Sequence, residues 1–445
     1  MAKRTSLLIG PDEKVSKFEA TILGLQHVLA MDVYVPPIIL AGILAMSSAD
    51  AMGLLQATFL AAGVGTLLQT VIFMKIPVSQ GPSFVPLTAA AGIVLANGGL
   101  HGKGIATLLG SSLIGSIFLI LLGLTGVFHK IINKFVPPVV GGTIITCVGL
   151  SLIPAALKDN IFAAPGNIFQ NIELASITAV VLIFCIAMSL RIPKLEKIFK
   201  TSSIVVALLV GTSVAATMGR FNWSQVASAP LFSFPQRTIL HWGLDFSLTP
   251  IITFIIIYII LTAETTGTWF AMSAVTGCDI SKKQWNNGII GEGASCMCST
   301  LLGATPVTGY STNAGIVSIT GVASKHVFIS AGIWFIILGF FSKLSAFLAT
   351  VPAPVIGGVF AIITVTIMLN GLKVIRNVET EESDLYVIGI PIVLTMALLL
   401  VPKKVVAVTP QLLQYLLGSP IAVAAIVAVI LKLIMPKYRG RLAKK

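Results

Sequence analysis

Apolar runs of about 20 residues recur along the whole chain, separated by short stretches rich in Pro, Gly and charge. A helix of that length crosses roughly 30 Å of hydrocarbon. The pattern predicts about fourteen membrane segments, near residues 19–43, 51–74, 79–97, 104–128, 136–156, 173–190, 201–218, 248–275, 286–303, 305–323, 326–348, 352–372, 385–402 and 417–435. The third and tenth begin badly as helices. They read Pro77-Val78-Ser79-Gln80-Gly81-Pro82-Ser83-Phe84 and Ala304-Thr305-Pro306-Val307-Thr308-Gly309-Tyr310-Ser311-Thr312. Pro and Gly interrupt helices, and Ser and Thr cap them, so each should be an extended stretch leading into a half-helix.

A repeat organises these segments. Residues 117–142 align without a gap to 333–358 at an offset of 216. The match ends on Pro138-Val139-Val140-Gly141-Gly142 against Pro354-Val355-Ile356-Gly357-Gly358. Seven predicted spans separate the copies, and an odd number inverts the second one. Inverted repeats with paired broken segments mark secondary transporters. The expected division is residues 1–218 for the first repeat and 219–445 for the second, seven segments each.

Composition removes the soluble classes. The 445 residues are 56% hydrophobic and only 10% charged, against about 25% charged in soluble domains. Residues 1–17 are polar, so no cleavable signal peptide is expected. The net charge of +13 lies in short loops, which makes nucleic acid an unneeded partner. With the N-terminus in the cytoplasm, 21 of the 29 Lys and Arg residues fall inside. Only Lys103, Lys158, Arg220, Arg237, Lys403 and Lys404 fall outside, while Lys343 and Lys432 lie within segments. That bias predicts an even number of spans with both termini cytoplasmic. Cys296 and Cys298 have no neighbouring His or second Cys pair, so no metal site is expected.

Three carboxyls lie well inside predicted spans: Asp32, Glu264 and Glu292. A carboxyl in lipid is costly and normally faces a cavity with a task, although each could be a neutral helix-packing group. Glu264 has Thr268 one turn on, on the same face. His27, after Gln26, is the one histidine inside a span away from a loop, and its plainer reading is a structural donor. Half-helix N-termini near Ser83-Phe84 and Ser311-Thr312-Asn313 should offer N–H groups to carbonyl oxygens or anions. A channel would need ring-forming charges, and an enzyme a nucleophile–base pair or metal cluster. Neither pattern is found, so the chain reads as a transporter without a cofactor.

At these residues the chain resembles the nucleobase–ascorbate transporters, also called nucleobase–cation symporter family 2, over nearly its whole length. The family signature is Gln, Glu or Pro, then Asn-x-Gly, four residues, Thr, and Arg, Lys or Gly. This chain reads Thr312-Asn313-Ala314-Gly315-Ile316-Val317-Ser318-Ile319-Thr320-Gly321. Gln26-His27, Gly81-Pro82-Ser83-Phe84, Glu264 within Glu-Thr-Thr-Gly, and Glu292-Gly293 are similar to further family motifs. The resemblance implies an all-α membrane fold of two inverted seven-segment repeats, forming a core domain and a gate domain that dimerises.

The resemblance also implies a substrate site drawn from Glu264, Phe84, Ser83, Thr268, Tyr310, Ser311, Thr312, Asn313, Gln26 and His27. Phe84 would stack on the substrate ring. Two positions depart from the pattern: Thr312 opens the signature, and Thr268 stands where relatives place Asp or His. Thr268 cannot titrate, so cation coupling is expected from Glu264, Asp32 and Glu292, with Asp32 about a turn and a half beyond His27 on one helix. The expected function is import of nucleobases across the plasma membrane, with xanthine or urate ahead of uracil and H+ ahead of Na+. The alternative is an anion such as ascorbate or sulfate on the same fold.

Overall fold

The computed structural model describes residues 7–31, 33–135, 137–192, 196–310, 317, 321–376, 378–410, 413, 417 and 419–435. The elements run in chain order: α1 (Lys17–Ala30), α2 (Val35–Ile43), α3 (Ser48–Leu67), β1 (Gln80–Pro82), α4 (Leu87–Ala96), α5 (Gly104–Leu124), α6 (Phe128–Phe135) and α7 (Pro138–Ser151). Then come α8 (Ile168–Arg191), α9 (Glu196–Thr217), α10 (Trp223–Ser228), α11 (Ile239–Trp242), α12 (Leu248–Thr276), α13 (Lys282–Leu301) and β2 (Val307–Gly309). The chain closes with α14 (Lys325–Phe340), α15 (Ser342–Thr350), α16 (Ala353–Arg376), α17 (Glu382–Leu400), α18 (Lys403–Ala407) and α19 (Pro420–Ile434).

Helix starts follow the capping rules. Ser16 and Ser47 accept from the backbone N–H groups of Glu19 and Asp50. Ser281 and Gln284 form a reciprocal capping box at α13, which satisfies N–H groups that no turn precedes. Among the described residues, seven helices are long and apolar enough to cross a membrane, or eight if the bent pair α14–α15 counts as one. The chain is therefore a helical, multi-pass membrane protein.

The helices pack in two groups. α1, α3, α5, α12, α13, α14 and both strands form one; α7, α8, α9, α16, α17 and α19 form the other. Each draws on both halves of the sequence. The repeat is visible in the element pattern. α5, the short α6 and α7 with Pro138 at its first position are echoed by α14, the short α15 and α16 with Pro354 at its second.

Two expected single spans are broken. The segment predicted at 19–43 ends as α1 at Ala30 and restarts as α2 at Val35, because Pro36 and Pro37 suit only a first helical turn. α1 thus ends before position 32, and Asp32, expected as a coupling group, lies outside the described residues. The segment predicted at 326–348 bends by 73° between α14 and α15. Lys432, within the last predicted segment, pairs with Asp384 at the start of α17, 2.5 Å away.

Candidate functional site

The third and tenth segments meet as strands. β1 and β2 pair antiparallel with Gln80 opposite Gly309, Gly81 opposite Thr308, and Pro82 opposite Val307. The ladder extends one step each way: Ser83 N donates to Pro306 O at 3.0 Å, and Tyr310 N donates to Ser79 O at 3.0 Å. Irregular backbone at membrane depth needs partners inside the protein, and the surrounding helices supply those the ladder leaves over. Gly309 N donates to Thr265 Oγ1 at 3.1 Å, and Gly309 O accepts from Thr268 Oγ1 at 2.9 Å. Val307 O accepts from Cys296 Sγ at 3.0 Å, and Gln80 N donates to Thr66 Oγ1 at 2.9 Å. Gly81 is required here, since a Cβ would sit 2.4 Å from the Tyr310 ring.

Glu264 lies midway along α12 and faces the turn that leaves β1. Ser83 Oγ donates to its Oε2 at 2.6 Å and accepts from Val85 N at 3.0 Å. A bond that short suits a charged acceptor. N–H groups around Ser83-Phe84 were expected to be offered to a ligand; that of Ser83 is spent on Pro306 O. Among the described residues, the amide left without a partner at this turn is that of Phe84, before the N-terminus of α4. The Phe84 ring is buried and stacks on Phe360 of α16, with centroids 6.1 Å apart and planes 13° off parallel. It thus spans the boundary between the two helix groups. Through Ser83 the arrangement brings an acceptor at Glu264 to the turn that carries a donor at Phe84 N and an aromatic face.

Glu292 on α13 forms a second polar centre behind the strands. It is fully buried. Its Oε2 takes a long 3.4 Å bond from Gln69 Nε2, which also donates to Gly288 O at 2.8 Å. The Thr308, Gln80 and Thr265 side chains flank the same carboxyl. Yet Glu292 Oε1, Thr308 Oγ1, both amide atoms of Gln80 and Trp269 Nε1 have no hydrogen-bond partner. Each such buried atom costs about 1–3 kcal/mol. Their concentration at one place marks the crossing as more than a packing joint.

Among the remaining expected site residues, Tyr310 and Thr268 are at the crossing, holding Gly81 and Gly309 as described. His27 is buried in α1 with its ring tilted on Phe328, centroids 4.8 Å apart. Gln26 is half-buried on the same helix. Ser311, Thr312 and Asn313 lie outside the described residues. The sequence reading missed Gln69, Gln80, Thr265 and Thr308 as site residues. Gln80 and Thr308 were visible inside the two Pro-interrupted stretches, but their convergence needs the strand register. Asp245, just before α12, accepts from Lys103 at 3.0 Å and from Thr107 at 3.1 Å. The Lys103 ammonium holds its carboxyl below the usual carboxylate range.

Paired half-strands between two helix groups, with a carboxyl facing the turn out of one strand, define the class of a membrane transporter built on inverted repeats. The model of the Permease family (Xan_ur_permease) matches residues 18–404. The chain belongs to that family, the nucleobase–ascorbate transporters, and is a permease rather than an enzyme. The uric acid permease PucJ of Bacillus subtilis is 30% identical over 379 residues, covering 83% of this chain and 82% of the relative. The xanthine permease of Bacillus subtilis is 27% identical, covering 93% and 92%. Among solved structures, the transmembrane domain of a cyanobacterial bicarbonate transporter, BicA, superposes with a TM-score of 0.58 at 14% identity, covering 95% of this chain and 99% of that one. That likeness concerns the fold alone.

Proposed function

We propose that this permease imports nucleobases across the plasma membrane by alternating access, driven by a cation, with both termini cytoplasmic. Purines such as xanthine or urate are favoured over uracil. One observation carries the reading: Glu264 is held by Ser83 beside the free Phe84 amide, in a chain whose relatives include xanthine and uric acid permeases. An oxidised purine presents imide N–H and C=O groups side by side. The N–H groups suit the Glu264 carboxylate, the C=O suits Phe84 N, and the ring suits the Phe84 face.

The two helix groups supply the moving parts of this reading. The group carrying the strands would shift the substrate past the other, with residues 1–218 and 219–445 as the inverted halves. The α7, α8 and α16 group would hold a homodimer in the lipid. Glu264 and Glu292 are the described carboxyls available for coupling.

Uptake of radiolabelled xanthine into proteoliposomes tests the proposal. Accumulation should follow an imposed cation gradient and be competed by urate and, less well, by uracil. Competition by sulfate or ascorbate with no effect of purines would instead assign an anion carrier.

A further inference from the structure

We infer that Gln56 and Asn286 are a matched pair of positioning residues for transport. Each clamps a connecting helix, α15 or α6, to the strand-carrying group, so that the two helix groups swing at the far ends of these helices. This role rests on the alternating-access reading above and names the residues that decide where the chain bends.

The two clamps are equivalent in the repeat. At the offset of 216, Ser116, Ile120 and Gly123 of α5 correspond to Gly332, Ile336 and Gly339 of α14. Their partners correspond as well. A Cβ on Gly123 would meet Ile290 of α13 at 2.5 Å, and one on Gly339 would meet Leu60 of α3 at 2.6 Å. A Cβ on Gly293 would meet Ser116 O and Ile120, and one on Gly63 would meet Gly332 O and Ile336. Leu60 and Gly63 thus match Ile290 and Gly293 at an offset of 230, and the same offset takes Gln56 to Asn286. Arg237 packs against Gly53 at the start of α3 and against Gly303 past the end of α13. The starts of α3 and α13, and with them the two clamps, therefore lie on opposite faces.

Each amide bonds a corner on both sides of its bend. Gln56 Nε2 donates to Ser342 Oγ, at the start of α15, at 3.1 Å, and to Ser233 O at 3.2 Å. Ser233 N in turn donates to Phe340 O, at the end of α14, at 3.0 Å. The 73° bend at Phe341 is held between them. Asn286 Nδ2 donates to Gly126 O at 3.1 Å, and its Oδ1 accepts from His129 N at 3.4 Å. These bonds straddle the corner between α5 and α6, where Gly126 takes a φ of +71°. α15 packs on α3, and α6 on α13 and to a smaller extent on α19.

The far ends are built differently. Pro137 and Val351 leave the helical conformation, with ψ of 161° and 126°. Pro137, Pro138, Pro352 and Pro354 bring no N–H to tie these joints. A few residues at element ends absorb hinge motion. Releasing a clamp adds a second joint on that face, so the moving group reaches its end positions less directly. Transport then slows, while Glu264 and Phe84 stay as they are.

The test compares xanthine binding in detergent with initial rates of xanthine uptake into proteoliposomes. Gln56→Leu and Asn286→Leu should each lower maximal uptake about fivefold to tenfold, as expected for losing one or two neutral hydrogen bonds, with Kd and KM within about twofold of the parent. Equal loss of binding, or an unchanged maximal rate, overturns the role. Asn286→Cys with His129→Cys decides the matter if the leucine variants do not fold. It is made in a Cys278→Ser background, because Cys278 is an exposed thiol. Its uptake should be slow, a short bis-methanethiosulfonate linker should restore the parent rate, and reduction should slow it again. A linker that blocks uptake would show that the corner must open, and one that leaves it slow would show that the clamp does not set the rate; either overturns the proposal. Hydrogen exchange needs no substrate: peptides covering 125–135 and 342–350 should exchange faster in Asn286→Leu and Gln56→Leu respectively, and unchanged exchange would overturn the clamps. Failure of xanthine to bind the parent at all would overturn the nucleobase reading and leave that exchange result standing.

Discussion

The strand crossing and the α7–α8–α16 group both pack through glycine, and differ in the directed hydrogen bonds that the crossing adds. In the latter, helices meet through missing side chains. A Cβ on Gly358 would sit 2.3 Å from Ala175 O, one on Gly149 2.6 Å from Thr364 O, and one on Gly371 2.5 Å from Gly142 O. At the crossing, strands of three residues are held by Thr265, Thr268, Thr66 and Cys296 through directed hydrogen bonds. Lipid is as apolar as the helix surfaces, so it gives no hydrophobic drive between them. Close backbone approach and hydrogen bonds must do that work. The difference teaches where each device belongs. Shape suffices between helices, whereas irregular backbone at membrane depth needs a partner for its N–H and C=O groups.

The largest effect should come from the scaffold. Gly358→Leu drives a side chain into the backbone of α8 and should prevent recovery of monodisperse protein on size exclusion. Gly141 lies in the same repeated Pro-x-x-Gly-Gly pattern, but nothing lies within 4 Å of its Cβ position. Gly141→Ala should be harmless or slightly stabilising. Equal damage from the two would break the comparison, since packing distance would then not be the determinant.

The site should respond through binding rather than folding. Glu264→Gln keeps the shape but removes the charged acceptor, worth about 1.5–3 kcal/mol. Xanthine affinity should fall roughly tenfold to a hundredfold, with little change in Tm. Unchanged affinity would remove Glu264 from the site. Thr268→Val deletes one neutral hydrogen bond to Gly309 O, about 1 kcal/mol. Binding should weaken about fivefold, and Thr268→Ser should restore it. Complete loss of binding with normal stability would mean that Thr268 touches the substrate instead of holding the strand.

The same contrast explains what could be read from sequence. The repeat and the Pro-x-x-Gly-Gly pattern were legible, because close helix packing leaves a local mark. Glu264 and Glu292 were legible because a carboxyl inside an apolar run is costly wherever it points. The breaks at Pro77–Phe84 and Ala304–Thr312 were legible from Pro and Gly. What was not legible depends on register. Gln80 and Gly309 lie more than 200 residues apart, and nothing local says that they pair. Thr268 was legible as sharing a helix face with Glu264, but the bond that its hydroxyl donates to Gly309 O was not. The first predicted span concealed its break because its apolar run continues through Pro36 and Pro37, which were not weighed as a new helix start.

The smallest expected effect lies at the rim, where neither device operates. Lys103 and Asp245 join the start of α5 to the residues before α12. Lys103 is 78% exposed, so its partner is attracted across water and the pair should contribute little. The Asp245 carboxyl is held below its ordinary value, chiefly by Lys103, with Thr107 assisting. A depressed carboxylate stabilises the folded state above its unfolded pKa, near 4. That contribution is lost as pH falls through the lower, folded value. Asp245→Asn should therefore unfold slightly earlier than the parent at pH 7 in low salt. The difference should disappear in acid below the folded pKa, and it should shrink as salt shortens the Debye length to about 8 Å near 0.15 M. A large, salt-insensitive loss at pH 7 would show instead that this rim is packed like the crossing, with Thr107 rather than Lys103 as the partner that counts.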